Sequence, residues 1–111
     1  MSHRFLKSEV IEAARKGVGY ELYKALFLNY GKRGEKAFHY IYQRRIKKYL
    51  DFFVVVGREE YIVEEFFCTC PDFQINLKSR SPCAHIIAVE VAKLLKCYDE
   101  IDTYYMDFQK I

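Results

Sequence analysis

The sequence predicts an α+β fold: a helical N-terminal half, then a β-hairpin and further helices. Three observations carry this expectation. Apolar residues across positions 20–42 recur with the period of a helix. The run Phe52-Phe53-Val54-Val55-Val56 is β-branched and aromatic, which suits a strand. Finally, Cys68-Thr69-Cys70 and, after a twelve-residue spacer, Cys83-Ala84-His85 supply three thiols and one imidazole. That is the ligand set of a closed tetrahedral zinc site.

Taken in order, Ser8 starts a helix that runs through Ala13 to Lys16, where Gly17 and Gly19 interrupt it. From Tyr20, the positions Leu22, Tyr23, Leu26, Phe27 and Tyr30 follow a helical period, and Gly31 can end that helix. A second one restarts near Gly34, with Ala37, Phe38, Ile41 and Tyr42 on one face. The same period extends to Ile46 and Tyr49, where helix and strand both fit. After the strand at 52–56, Gly57-Arg58-Glu59-Glu60 supplies a turn and residues 61–67 a return strand. If that strand reaches the cysteines, Cys68 and Cys70 share one face of it. Pro71 then stops the ladder. Residues 72–80 read as a short helix or loop, and Ser81-Pro82 as the start of a helix over about 83–97. Cys83 must sit on its entry turn and His85 in its first turn, because full helical geometry would set them about 200° apart. Ile86, Ile87, Ala88, Val89, Val91, Ala92, Leu94 and Leu95 make this helix apolar on several sides, so it is expected to be buried on several sides. From Asp99, Ile101, Tyr104, Tyr105 and Phe108 recur at helical spacing and predict a C-terminal helix over 99–111.

These segments fit one domain over 1–111: a mainly helical part (1–50), a zinc-binding module (51–98) and the C-terminal helix. Composition agrees with a packed core, since 51% of residues are hydrophobic, with ten Tyr, nine Phe and no Trp. The net charge of +3 hides an asymmetry. Residues 1–50 hold twelve basic and four acidic side chains, residues 51–111 six and eleven. The start, Met1-Ser2-His3-Arg4-Phe5, lacks the apolar core of a signal peptide, and no apolar run is long enough to span a bilayer. No membrane partner is expected, and a cytoplasmic location is (nucleoid-associated in a prokaryote, nuclear in a eukaryote). In such a compartment, short cysteine spacings favour metal over disulfide. Cys97 has no partner at ligand spacing and reads as an ordinary, partly buried thiol.

The metal ligands are therefore Cys68, Cys70, Cys83 and His85, and the cofactor is Zn²⁺. Four protein ligands leave no position for water, which points to a staple rather than a catalyst. The remaining histidines also speak against an enzyme: His3 lies at the terminus and His39 among helical aromatics. No phosphate-binding glycine loop, nucleophile elbow or paired carboxylate cluster is present.

The pattern Cys68-x-Cys70-Pro71-x-Phe73, then Pro82-Cys83-x-His85-Ile86-x-Ala88-Val89, resembles the SWIM zinc-binding module. Val56-Gly57 and Tyr61-x-Val63 are similar to the hairpin that leads into it. A stand-alone SWIM protein of this size resembles the small Shu-complex SWIM subunits, recombination regulators of eukaryotes and archaea. Residues 22–38 are similar to that family's N-terminal segment, and the resemblance covers roughly residues 20–105. It implies a non-catalytic accessory factor in homologous recombination and DNA repair, an adaptor for a RecA-fold recombinase paralog that acts on single-stranded DNA. It also implies that Phe73 packs beneath the zinc site. Such an adaptor forms a heterodimer or a homodimer, with the interface expected on the helix over 86–95 and the aromatic N-terminal helices. The alternative is a DNA-binding module that contacts phosphates through Lys32, Arg33, Lys36, Arg44, Arg45, Lys47 and Lys48, with Tyr40, Tyr42 and Tyr49 among them to stack on unpaired bases, although Tyr42 and Tyr49 also fit the apolar helical face and are expected to pack in the core.

Overall fold

The computed structural model describes residues 6–108. His3 and positions 109–111 of the expected C-terminal helix lie outside the described residues. The helical N-terminal half consists of α1 (Ser8–Ala14), α2 (Tyr20–Tyr30) and α3 (Lys32–Tyr42). Gly31 ends α2 with φ 63°, a left-handed conformation that costs glycine little, and α3 follows at once. As expected, α3 begins near Gly34, which lies in its first turn at the crossing with α2. A Cβ there would sit 2.0 Å from the Leu26 carbonyl oxygen. Glycine therefore lets the two helices meet backbone to backbone, burying Leu22 and Leu26 against Ala37 and Ile41.

The ambiguous stretch after α3 is a strand. Arg44 adopts left-handed backbone at φ 56°, and Arg45 N–H closes on the Tyr40 carbonyl at 2.9 Å, so the helix ends in a wrapped turn. Then β1 (Ile46–Lys48), β2 (Phe53–Val56) and β3 (Glu60–Val63) form an antiparallel meander in which Ile46 pairs with Val55 and Val55 with Tyr61. The return strand ends at Val63 and does not reach the cysteines. Glu65 turns left-handed (φ 52°), and the chain folds back so that Cys68 bridges Val63. Thr69 locks this reversal twice: its N–H donates to the Ile62 carbonyl at 3.1 Å, and its hydroxyl accepts the Ile62 N–H at 3.0 Å.

After one π-helical turn (Asp72–Asn76), α4 (Ala84–Leu95) runs through the middle of the molecule. It packs on α1 and α3 and on strands β1, β2 and β3. Every residue from Ala84 to Ala92 is buried, Glu90 included, whose carboxylate meets Lys93 Nζ at 3.1 Å. This corrects the expected docking role of the helix. Its residues over 86–92 are covered by the protein's own elements and offer no surface to a partner, whereas Leu94 and Leu95 of the expected docking face are partly buried.

The C-terminal segment also departs from expectation. Asp99 and Glu100 form β4, which pairs in parallel with Lys47 and Lys48 of β1, so the sheet order is β3-β2-β1-β4. The open backbone edge of β1 takes these hydrogen bonds, and a helix forms only at α5 (Tyr105–Phe108). There the Asp51 carboxylate accepts the N–H groups of Tyr105 (2.9 Å) and Met106 (3.5 Å). Ile101 and Tyr105 pack with Tyr49, Phe52, Val54, Val56 and Ile62, a second small core. The apolar spacing that suggested a helix over 99–111 is thus satisfied by a strand and one helical turn. No helix among the described residues is long and apolar enough to cross a membrane.

Candidate metal centre

Three separate local structures deliver the four ligands. The reversal after β3 presents Cys68. Cys70 closes it, just before Pro71 opens the π-helical turn. Cys83 caps α4 in extended backbone (φ −83°, ψ 175°), and His85 lies in the first turn, as the spacing requires. All four ligand atoms fall within 4.8 Å of one another. His85 presents Nδ1, 3.6 Å from Cys68 Sγ and 3.8 Å from Cys83 Sγ. A tetrahedral Zn²⁺ with bonds of about 2.3 Å to sulfur and about 2.0 Å to nitrogen needs sulfur–nitrogen edges of roughly 3.6 Å. The donor set fits the ion in kind and in spacing, and it is sealed: His85, the most accessible of the four, is 7% exposed.

The three thiols also perturb one another. Hydrogen bonds from Cys68 and Cys83 pull the Cys70 thiol far down. The same contacts, first with Cys70, push Cys68 far up, aided by burial. The contact with Cys68 lowers Cys83, but the one with Cys70 and burial outweigh it, and the thiol stands at about 11. Zn²⁺ at the centre stabilises all three as thiolates. The backbone is already arranged for that charge, because each sulfur accepts one amide: Cys68 from Cys70, Cys70 from Phe73 at 3.4 Å, and Cys83 from Ile86 at the start of α4. Phe73, which the resemblance places beneath the site, is buried and packs edge-on against Phe66 and Phe67.

Several residues that serve the site were not assigned to it from sequence. Tyr40, on α3, brings its hydroxyl to 3.3 Å from His85 Nε2, and the Tyr61 ring lies 4.4 Å from the imidazole. With Nδ1 on the metal, Nε2 carries the proton and donates it to the Tyr40 oxygen, which fixes the ring and its tautomer. Burial, then the charges at Tyr61 and Cys70, raise the Tyr40 phenol above its ordinary value and keep it neutral. Arg33 grips Asp72 with two bonds, of 2.7 and 2.9 Å. Asp72, and beyond it the sulfurs of Cys83 and Cys70, hold that guanidinium in its charged form, while burial pulls the other way. One zinc and three thiolates carry net charge −1, and Arg33 lies where it offsets it. Neither Tyr40 nor Arg33 is therefore spare for nucleic acid, and Tyr49 is buried in the second core. No local pattern could have flagged Tyr40, which is 45 positions from His85. Cys97 stays apart from the cluster as a half-buried free thiol.

The comparisons with known proteins agree with this geometry. Residues 52–94 match the SWIM zinc finger. A protein of Archaeoglobus fulgidus described as uncharacterized is 65% identical over 106 residues, which spans 96% of this chain and 94% of the relative. No solved structure matches the chain with significant similarity. The chain belongs to one family with that archaeal protein and carries a SWIM zinc finger whose Cys68, Cys70, Cys83 and His85 are positioned to hold the metal ion.

Proposed function

We propose that this protein is a non-catalytic, zinc-stapled interaction module, an accessory factor in homologous recombination that serves as adaptor for a RecA-fold recombinase paralog. One observation carries the first part: four buried side chains converge to hold one ion, and four protein ligands would leave no position for a water or a substrate. The ion supplies a cross-link between the β-hairpin and α4, and the surrounding side chains hold it in place. The recombination role rests on the likeness of the zinc motif and of residues 22–38 to the Shu-complex SWIM subunits, a group with archaeal members, and the relative is archaeal.

Since α4 is enclosed as far as Ala92, the partner is met elsewhere on the surface. The loop over residues 64–82 offers Ile75, 69% exposed, and Phe67, 46% exposed, on backbone that a bound metal would stiffen. Rigid apolar side chains of this kind lose little entropy on docking. Native mass spectrometry of the protein co-expressed with a RecA-fold paralog tests the reading. The expected result is a heteromeric complex with one zinc per chain, lost in Ile75→Glu without loss of zinc. A zinc-loaded protein that stays free of every such paralog overturns the adaptor role.

A further inference from the structure

Tyr42 does not reach the core as expected: it is 67% exposed and stacks on Phe38 at 5.8 Å. The start of the same helix takes part in a more specific feature. A cleft of about 380 Å³ lies at the seam between the helical half and the zinc loop. Its walls come from four places in the chain: Lys7 just before α1, Tyr30 at the end of α2, Arg33 in the first turn of α3, and Leu77, Ser81 and Pro82 on the approach to α4. Both sides are fixed by cross-links. Lys7 N–H donates to the Tyr30 hydroxyl at 2.9 Å, and the two bonds from Arg33 to Asp72 tie α3 to the loop. The volume is that of a cavity able to hold a ligand.

Charge at this seam is unbalanced toward the positive. The carboxylate there, Asp72, has both oxygens engaged by Arg33, and one of them also by Asn76 Nδ2 at 3.0 Å. Arg33 in turn offsets the zinc centre and brings no surplus. The surplus lies with Lys7, and with Lys78 and Arg80 on the turn between Leu77 and Ser81, which Arg80 N–H closes on the Leu77 carbonyl at 3.0 Å. All three are exposed, and none forms an ion pair among the described residues. Ser81 is exposed too, and its hydroxyl bonds to no other described residue. Glu9, whose charge reaches Tyr30, lines the separate groove between α1 and α2.

We propose that the cleft receives an acidic peptide of a partner protein, with a carboxylate at Lys7 and Ser81 and a neighbouring apolar side chain against Leu77 and Pro82. The two kinds of wall decide the occupant. A free inorganic anion would use the cations and leave the apolar wall wet. A purely apolar peptide would gain nothing from three unpaired cations. Walls already fixed from both sides lower the entropy lost on docking. This site rests on the reading of the protein as an interaction module and names the chemistry of one contact in it.

Fluorescence anisotropy of the zinc-loaded protein tests it at about 50 and 200 mM salt. The probes are a labelled peptide of about ten residues that carries Glu-Leu-Glu between Gly and Ser, its Gln-Leu-Gln counterpart, and inorganic phosphate as competitor. The acidic peptide is expected to bind, less tightly at the higher salt, and its Gln counterpart roughly 5-fold more weakly, the value of one exposed charge pair. Lys7→Glu and Ser81→Glu should each weaken the acidic peptide by at least about the same factor with zinc content unchanged. Equal affinity for the two peptides, or variants that keep zinc and bind like wild type, overturns the proposal. So does phosphate that binds as tightly as the peptide, which would give the cleft to a free anion. A protein that binds the acidic peptide yet joins no RecA-fold paralog keeps the cleft and loses the adaptor role. A paralog complex formed by a protein with no affinity for the peptide does the reverse.

Discussion

The zinc loop and the helical hairpin are built by opposite means. The hairpin of α2 and α3 turns on a glycine and is held by apolar contacts across a close helix crossing. The loop over residues 64–82 buries only Cys68, Cys70 and Phe73 fully, and it places three non-glycine residues, Glu65, Lys78 and Ser79, in left-handed backbone. Each of these conformations costs on the order of 1 kcal/mol. A segment with so little buried surface and this much strain depends on its cross-links to the rest of the molecule. Hydrogen bonds close its turns, such as Leu77 N–H to the Asp72 carbonyl at 2.9 Å, and tie it to Ile62 and Arg33, and a bound zinc ion would add the largest single contribution. The difference shows how a chain of this size can carry a shaped loop without a larger core.

Removal of the ion should separate the two regions most clearly. Zinc binding contributes on the order of 10 kcal/mol in small modules. Chelation, or Cys83→Ser, should abolish amide protection over 64–82 and the first turn of α4 while α2 and α3 keep theirs. Hydrogen exchange followed by mass spectrometry reads this directly. Simultaneous loss in the hairpin would show that the two regions form one cooperative unit.

The reverse experiment attacks the hairpin. Gly34→Ala drives a methyl group into the Leu26 carbonyl, so the helices must separate, at about 3 kcal/mol. The midpoint of denaturant unfolding should fall while the folded protein still holds one zinc. An unchanged midpoint would mean that the crossing has slack the geometry denies.

Tyr40 joins the two regions, since α3 supplies the hydroxyl that orients His85. Tyr40→Phe removes one hydrogen bond and little volume. It should weaken zinc about 10-fold, which is roughly 1.4 kcal/mol and the smallest of the three effects, with the fold intact. Competition against a chromophoric chelator measures it. If affinity does not change, the ring of Tyr61 and the α4 backbone suffice to hold the imidazole.

Much of this architecture is legible in the sequence. The periods of α2, α3 and α4 are plain because each helix buries a continuous stripe. The strand at 53–56 shows in its β-branched run. Where the reading fails, the deciding partner is distant. Ile46 to Lys48 become strand because β2 and β4 offer backbone on both sides, and nothing within residues 43–50 says so. The segment after Asp99 keeps helical spacing, yet its first residues gain more from the free edge of β1 than from a helix start.

The ligand set is a property of the sequence alone. Two short pairs bring their donors together locally, at a reversal and at a helix cap, and thiolate–imidazole chemistry names the ion. Which cations stay on the surface, which tyrosine steadies the histidine and which helix is enclosed were decided only when the elements packed. Arg33 and Lys36 look alike along the chain and lie only about 60° apart around α3, yet Arg33 meets Asp72 and Lys36 meets solvent. Spacing fixes direction relative to the helix axis; only tertiary contact determines what lies in that direction.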